Sequence, residues 1–213
     1  MMAAAVAIAI PCQDRLHTAF VKALVKVQGP TFVSFITEMS TVPAKRNYAV
    51  RGVLNHPACS HLLMLDSDMV PPADLIGRLL RHGKDIIGAL YAQKTPPMRL
   101  MAGWHTTPEG APTDRRVTPH TGPKRVHWVG AGALLVSRSA LERVGAPWFA
   151  GLAEWDGEGE EVHFQRRGAE LGIETWCDTD LIVPHLGVVG VTPDNASTLE
   201  GLESIFTKEN RTW

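Results

Sequence analysis

Cysteine is scarce: three residues in 213, at Cys12, Cys59 and Cys177, with no CxxC pair. That spacing excludes a zinc knuckle, offers no disulfide framework, and points to a reducing, cytoplasmic compartment. Net charge is equally small. Lys and Arg number 21 against 22 Asp and Glu, leaving -1. The chain as a whole therefore has no field to draw it onto nucleic acid or an anionic membrane, and any such partner has to be met by a local patch. No apolar run reaches the roughly 20 residues of a membrane span. Repeats and low-complexity segments are absent. The opening MMAAAVAIAI lacks the basic stretch of a secretory leader, and its apolar run stops at Pro11-Cys12-Gln13-Asp14, so VAIAI reads as a first buried strand.

What is present is an ordinary globular composition, 45% hydrophobic and 20% charged, and a length that suits one domain spanning 1–213. Strand-like, β-branched or continuous apolar runs occur at 6–10, 31–37, 61–65 and 85–91. Between them, apolar residues at helical spacing predict helices at 14–27, at 45–56 with Val50, Val53 and Leu54 inward, and after Pro71-Pro72, where a first-turn proline forgoes no helical bond. This alternation predicts an α/β fold: a mainly parallel, Rossmann-like sheet flanked by helices. In such sheets ligands bind beyond the carboxyl ends of the strands. Pro11-Cys12, Glu38 and Asp66-Ser67-Asp68 all fall there.

Periodicity lapses over 92–125, which is rich in Pro, Gly and Thr and reads as a long flexible loop or flap. Strand character returns at 126–137, interrupted by Gly130-Ala131-Gly132. Ser139 and Glu142 match a capping box opening a short helix that Gly145 ends. Helices are expected at 160–171 and 195–208, with a strand over 174–185 between them.

The chemistry concentrates in three places. HLLMLDSDMVPP, residues 61–72, ends a buried strand on two carboxylates two residues apart, and half-buried charge there needs a partner. A hard cation such as Mg²⁺ or Mn²⁺ is one, because it favours carboxylates and shares them with substrate phosphates. A solvated turn before Pro-Pro is the other reading. His185 ends a second strand, LIVPHLG, and could converge with the acids on one ion. EWDGEGEEVHF, 154–164, holds five acids, either a solvated helix start or a general base at a helix N-terminus.

Taken together, five segments resemble a compact glycosyltransferase of the GT-A fold, family 2-like. They are AIPCQD after the first strand, AKRNYAV with Arg46 and Asn47, LLMLDSDMVPP as the DxD strand, VGAGALLVSRSALERVG, and GEGEEVHFQRRGAELGIETWCDTDLIVPHLG. The resemblance implies a nucleotide-sugar donor, such as a UDP-sugar, bound through Mn²⁺ or Mg²⁺. Asp68 would then be a direct ligand, Asp66 would touch ribose or metal, and His185 would complete the metal shell. Glu160 and Glu161 stand in place of the family's Glu-Asp pair, with Glu161 one methylene longer than the family's base and His163 where another acid is common. Pro11, Cys12, Glu38 and Arg46 are the expected nucleotide contacts.

The acceptor is open. Six Lys or Arg residues lie between Lys94 and His127 against only Glu109 and Asp114, with Trp104 and Trp128 at either side. Such a segment could grip phosphates and stack on bases, close over the donor pyrophosphate, or simply stay solvated. Small transferases of this kind also resemble bacteriophage enzymes that modify hydroxymethylated DNA, which makes DNA one candidate acceptor and the host cytoplasm one compartment. Two other function classes remain: a nucleotidyltransferase acting on sugar phosphates, disfavoured because no glycine- and arginine-rich loop follows the first strand, and a non-catalytic nucleotide-sugar-binding module.

Overall fold

A computed structural model describes residues 5–95, 97–107, 109–111, 113–150 and 159–187. The expected helix at 195–208 lies outside them. The strands are β1 (Val6–Pro11), β2 (Pro30–Ile36), β3 (His61–Leu65), β4 (Ile86–Leu90), β5 (Ala102–Gly103), β6 (Pro123–Val126), β7 (Trp128–Val129), β8 (Ala133–Ser137) and β9 (Thr175–Ile182). The helices are α1 (Thr18–Leu24), α2 (Val42–Asn55), α3 (Leu75–Arg81), α4 (Arg138–Val144) and α5 (Glu160–Glu170).

One sheet of seven strands, ordered β2-β1-β3-β8-β4-β9-β6, forms the frame. β1, β2, β3, β4 and β9 run one way, while β8 and β6 run against them. The sheet is thus mostly parallel, with an antiparallel strand at its centre. β8 pairs Leu135 with Leu63 on one side and with Ile87 on the other. Leu62 to Leu65 and the whole of β8 are buried, which is why these strands read as unbroken apolar runs: helices cover both faces. Alternate residues serve different layers. Leu62, Met64, Leu134 and Val136 pack with Val50 and Val53 of α2, Leu141 of α4 and Phe164 of α5. Ile8, Leu63, Leu65 and Leu135 pack with Phe20 of α1 and Leu75, Ile76 and Leu79 of α3.

Several sequence expectations shift. α1 starts at Thr18, four residues late. α3 starts at Leu75 rather than at Pro71-Pro72, because the Val70 N–H donates to Pro184 O at 2.9 Å and Ala73 O accepts from Gln28 N at 2.8 Å, drawing the proline segment out of helix. α4 is capped by Ser137, not Ser139. β8 runs straight into the helix, and Ser137 Oγ, the last strand position, accepts from Ala140 N at 3.1 Å. The stretch at 92–125 is largely folded. Ala92 bridges Leu100, Gly103 bridges Arg116, β5 pairs β7, and β6 pairs β9. Its arginines meet partners within the molecule. Arg99 and Arg116 bind Asp114, Arg125 meets Glu174 at 3.3 Å, and the Arg115 and Arg116 guanidinium groups lie over Trp104 and Trp128 at 4.2 and 4.6 Å. Those two indoles already stack on arginine, which leaves the base-stacking alternative for this segment without support here.

Why Gly130-Ala131-Gly132 carries two glycines is a matter of space. The Tyr91 ring, just beyond β4, lies across this turn. A Cβ at Gly130 would come within 2.1 Å of Tyr91 Oη, and one at Gly132 within 2.9 Å of Tyr91 Cζ. Gly130→Ala is expected to destabilise the protein by about 1–3 kcal/mol, a fall of several degrees in melting temperature. Gly77→Ala, in α3 with nothing within 4 Å of its added Cβ, is expected to leave the melting temperature level or raise it. Equal melting curves for the two variants would contradict this account of the turn.

Candidate active site

Beyond the carboxyl end of β3 the chain turns at once: Met69 N bonds back to Asp66 O at 3.2 Å, and Asp66 N donates to Gly132 O at 3.0 Å. The turn sends the two aspartates different ways. Asp66 goes to Arg46, and Asp68 goes to His185 and Lys94. Both aspartates nonetheless line one cleft with His185. Among the described residues no group of three His, Cys, Asp or Glu forms a metal cage.

Arg46 sits on the inward face of α2 and is only 4% exposed. Its guanidinium donates to Asp66 Oδ1 at 2.9 Å, to Glu160 Oε1 at 3.1 Å and to Ala131 O at 3.3 Å. One side chain thus joins α2, the tip of β3, the glycine turn and the start of α5. Its neighbour Asn47 accepts from Trp148 N and Phe149 N at 3.1 Å each and donates to Phe149 O at 2.6 Å, fixing the segment after α4.

Asp68 and His185 come from segments far apart in sequence. Val183 N donates to Leu90 O at 2.9 Å and Leu186 N to Asp68 O at 2.7 Å, and Met69 bridges His185. These backbone bonds bring the end of the β9 segment against the β3 turn. His185 Nδ1 lies 2.8 Å from Ala92 O and so carries the hydrogen. That leaves Nε2 facing Asp68 Oδ2 at 3.4 Å. An imidazole with one nitrogen fixed on a backbone carbonyl is the usual orientation of a metal ligand. Lys94 supplies the local cation, its ammonium resting on the same Oδ2. Partial burial alone would raise the Asp68 carboxyl, but His185 and Lys94 outweigh it and hold the group at about 2. The hydrogen bond with Asp68 raises His185 above the ordinary histidine value.

Glu161 behaves oppositely. Burial, then the like charge of Glu160, pushes its carboxyl up to about 7. Its carboxylate folds back over Gly159, where a Cβ would stand 2.6 Å from Oε2. Tyr91 lies in the same cavity, accepts from Gly132 N at 3.1 Å and meets the His185 ring edge-on at 5.4 Å.

Two clefts adjoin here, sharing Val42 and Asp66. The first, of about 500 Å³, is lined by Pro11, Cys12, Arg15, His17, Lys45, Asp66, Asp68, Lys94 and His185. The second, of about 680 Å³, is lined by Thr41, Arg46, Asp66, Tyr91, Ala131, Glu160 and Glu161. Both volumes suit small-molecule ligands. Pro11 and Cys12 thus lie in the first cleft, whereas Arg46 is sealed beneath the second. Glu38 lines neither; it is exposed, and its carboxylate accepts from Thr37 N at 3.1 Å. Lys45, Tyr91 and Lys94 are additional site residues. The period that turned Val50 and Val53 inward also turns Lys45 and Arg46 inward, and Lys45 Nζ donates to Cys12 O. Nothing local in the sequence marks Lys94 or Tyr91, whose roles depend on strand neighbours.

In fold, the chain is similar to A197 from STIV, with 19% identity, 85% of each chain covered and a TM-score of 0.66. It is also similar to GalNAc-T7 crystallised with UDP, GalNAc and Mn²⁺, with 12% identity over 93% of this chain and 48% of that one, at a TM-score of 0.60. The fold is GT-A-like. No family model and no curated protein matches the sequence. This chain spans about half the length of GalNAc-T7, so the likeness covers one part of that protein. In this GT-A-like frame the two clefts open where α/β sheets bind ligands, beyond the carboxyl ends of β1 and β3.

Arg46→Met would leave Asp66 and Glu160 facing each other without their cation. Breaking a buried pair in this way costs about 3–5 kcal/mol, which urea unfolding at neutral pH would measure. Arg46→Lys is expected to recover less than half of that, because one ammonium cannot reproduce the three-way fork. Full recovery by lysine would contradict the clamp.

Proposed function

We propose that this chain transfers a sugar from a nucleoside-diphosphate-sugar, of which a UDP-sugar is the leading example, to a hydroxyl acceptor. The observation that carries the reading is the meeting of Asp68 and His185, an oxygen and a nitrogen donor on one point of a basic cleft. Their donor atoms, 3.4 Å apart, are close to the about 3 Å that separates adjacent ligands of an octahedral ion. The contact of the Lys94 ammonium with Asp68 supports the reading of this oxygen as an anionic point open to a cation. The residues therefore fit Mn²⁺ or Mg²⁺, which would be held by Asp68 and His185 and would supply Lewis-acid stabilisation to the leaving diphosphate. The GalNAc-T7 likeness, in a protein crystallised with UDP and Mn²⁺, supports the same choice of ligands.

The chain's own groups do the rest. Arg15 and Lys45 give the first cleft its positive lining for the diphosphate. Arg46 fixes Glu160, which leaves Glu161 as the carboxylate for proton transfer. Glu161 accepts the proton of the acceptor hydroxyl, the hydroxyl oxygen bonds to the anomeric carbon, and the bond from that carbon to the diphosphate oxygen breaks with its electron pair going to the diphosphate. A carboxylate with a value near 7 is well matched to that task, since it is a stronger base than an ordinary glutamate and about half of it is ionised in neutral solution. The acceptor is expected in the second cleft, beside Glu161 and Tyr91.

Activity is expected to rise with pH through about 7, because the protonated Glu161 carboxyl is far too weak a base to take the hydroxyl proton and the ionised one is not. Glu161→Gln should lower turnover by about 10²–10⁴-fold and flatten that profile. Asp68→Asn should abolish turnover and its dependence on Mn²⁺. Sugar release from a panel of nucleotide sugars, with and without chelator, checks all three; turnover indifferent to chelator and to Asp68→Asn would overturn the reading.

A further inference from the structure

Lys94 follows β4 by four residues, and its backbone is wedged against the turn that carries His185. A Cβ on Gly187 would come within 3.1 Å of both Lys94 Cβ and Lys94 O. The backbone is therefore fixed, but the side chain is 46% exposed and can swing. Its ammonium occupies Asp68 Oδ2, the atom that His185 Nε2 also faces. It borders the cleft that holds Arg15 and Lys45. A flexible point charge in this position has two possible anionic partners: the Asp68 carboxylate, and any diphosphate lying in the cleft. A divalent ion on Asp68 repels it from the first and leaves it the second.

We propose that Lys94 is an exchangeable counter-ion that holds Asp68 in the ligand-free protein and transfers to the diphosphate when a divalent cation takes Asp68, coupling the two binding events. The inference rests on the reading of Asp68 and His185 as the metal pair. The coupling is reciprocal: diphosphate draws Lys94 away and frees Asp68 for the ion, and the ion frees Lys94 for the diphosphate.

The test is a Mn²⁺ titration followed by the electron paramagnetic resonance signal of free Mn²⁺, with and without UDP, on the full chain. Removing a competing unit charge in direct contact with the ligand oxygen should make Lys94→Met bind Mn²⁺ alone about tenfold more tightly than the unsubstituted protein. The factor by which UDP tightens Mn²⁺ should fall by about the same amount in that variant. Lys94→Arg keeps the charge and should stay within about twofold of the unsubstituted protein. Mn²⁺ affinity unchanged or weakened in Lys94→Met, while Asp68→Asn abolishes binding, would overturn the exchange and leave the proposed function standing. Mn²⁺ binding unaffected by Asp68→Asn would overturn both.

Discussion

Arg46 carries a full charge at 4% exposure, and such a charge persists only where opposite charge and hydrogen-bond acceptors enclose it. Here the enclosure is drawn from four separate elements: α2 bears the residue, the β3 tip gives Asp66, the glycine turn gives Ala131 O, and α5 gives Glu160. Each of these would be free to drift without the others. The clamp ties the first residue of α5, and with it the neighbouring Glu161, to the glycine turn and the β3 tip. It also holds Asp66 Oδ1 on the guanidinium. A functional layout thus follows from the need to neutralise one buried guanidinium.

Asp66 marks the border between two electrostatic regions. On one side, Arg15, Lys45 and Lys94 favour a polyanion. On the other, Glu160 and Glu161 crowd two carboxylates around one cation already bound, so that the second is pushed up to about 7 by burial and like charge. Leaving-group stabilisation and proton abstraction need opposite fields, and only Val42 and Asp66 are common to the two clefts. Tyr91 links the halves mechanically, packing on Gly130 and Gly132 in one direction and on His185 in the other.

The frame was legible in the sequence wherever burial on two faces produced unbroken apolar runs, as at 61–65 and 133–137. Asp68 and His185 were legible as strand-end polar residues, and in the structure their side chains lie 3.4 Å apart. The directions of β8 and β6 were not legible, since an apolar run carries no sign. Two further features escaped for the same kind of reason. The basic residues of 92–125 left a phosphate grip, a closing flap and a solvated loop all open, because their partners, Asp114 and the two tryptophan faces, are found only once the segment folds. Lys94 looked like one of that set, although strand order carries it to the cleft.

The central claim is that Asp68 and His185 meet in order to hold a divalent cation against a diphosphate. Anomalous X-ray diffraction from crystals grown with Mn²⁺ and UDP measures this directly. The account predicts one strong Mn²⁺ peak about 2.1 Å from an Asp68 carboxylate oxygen and from His185 Nε2, with UDP phosphate oxygens and water completing its shell. UDP bound in the cleft with no peak there, or with the ion coordinated away from both residues, would contradict it.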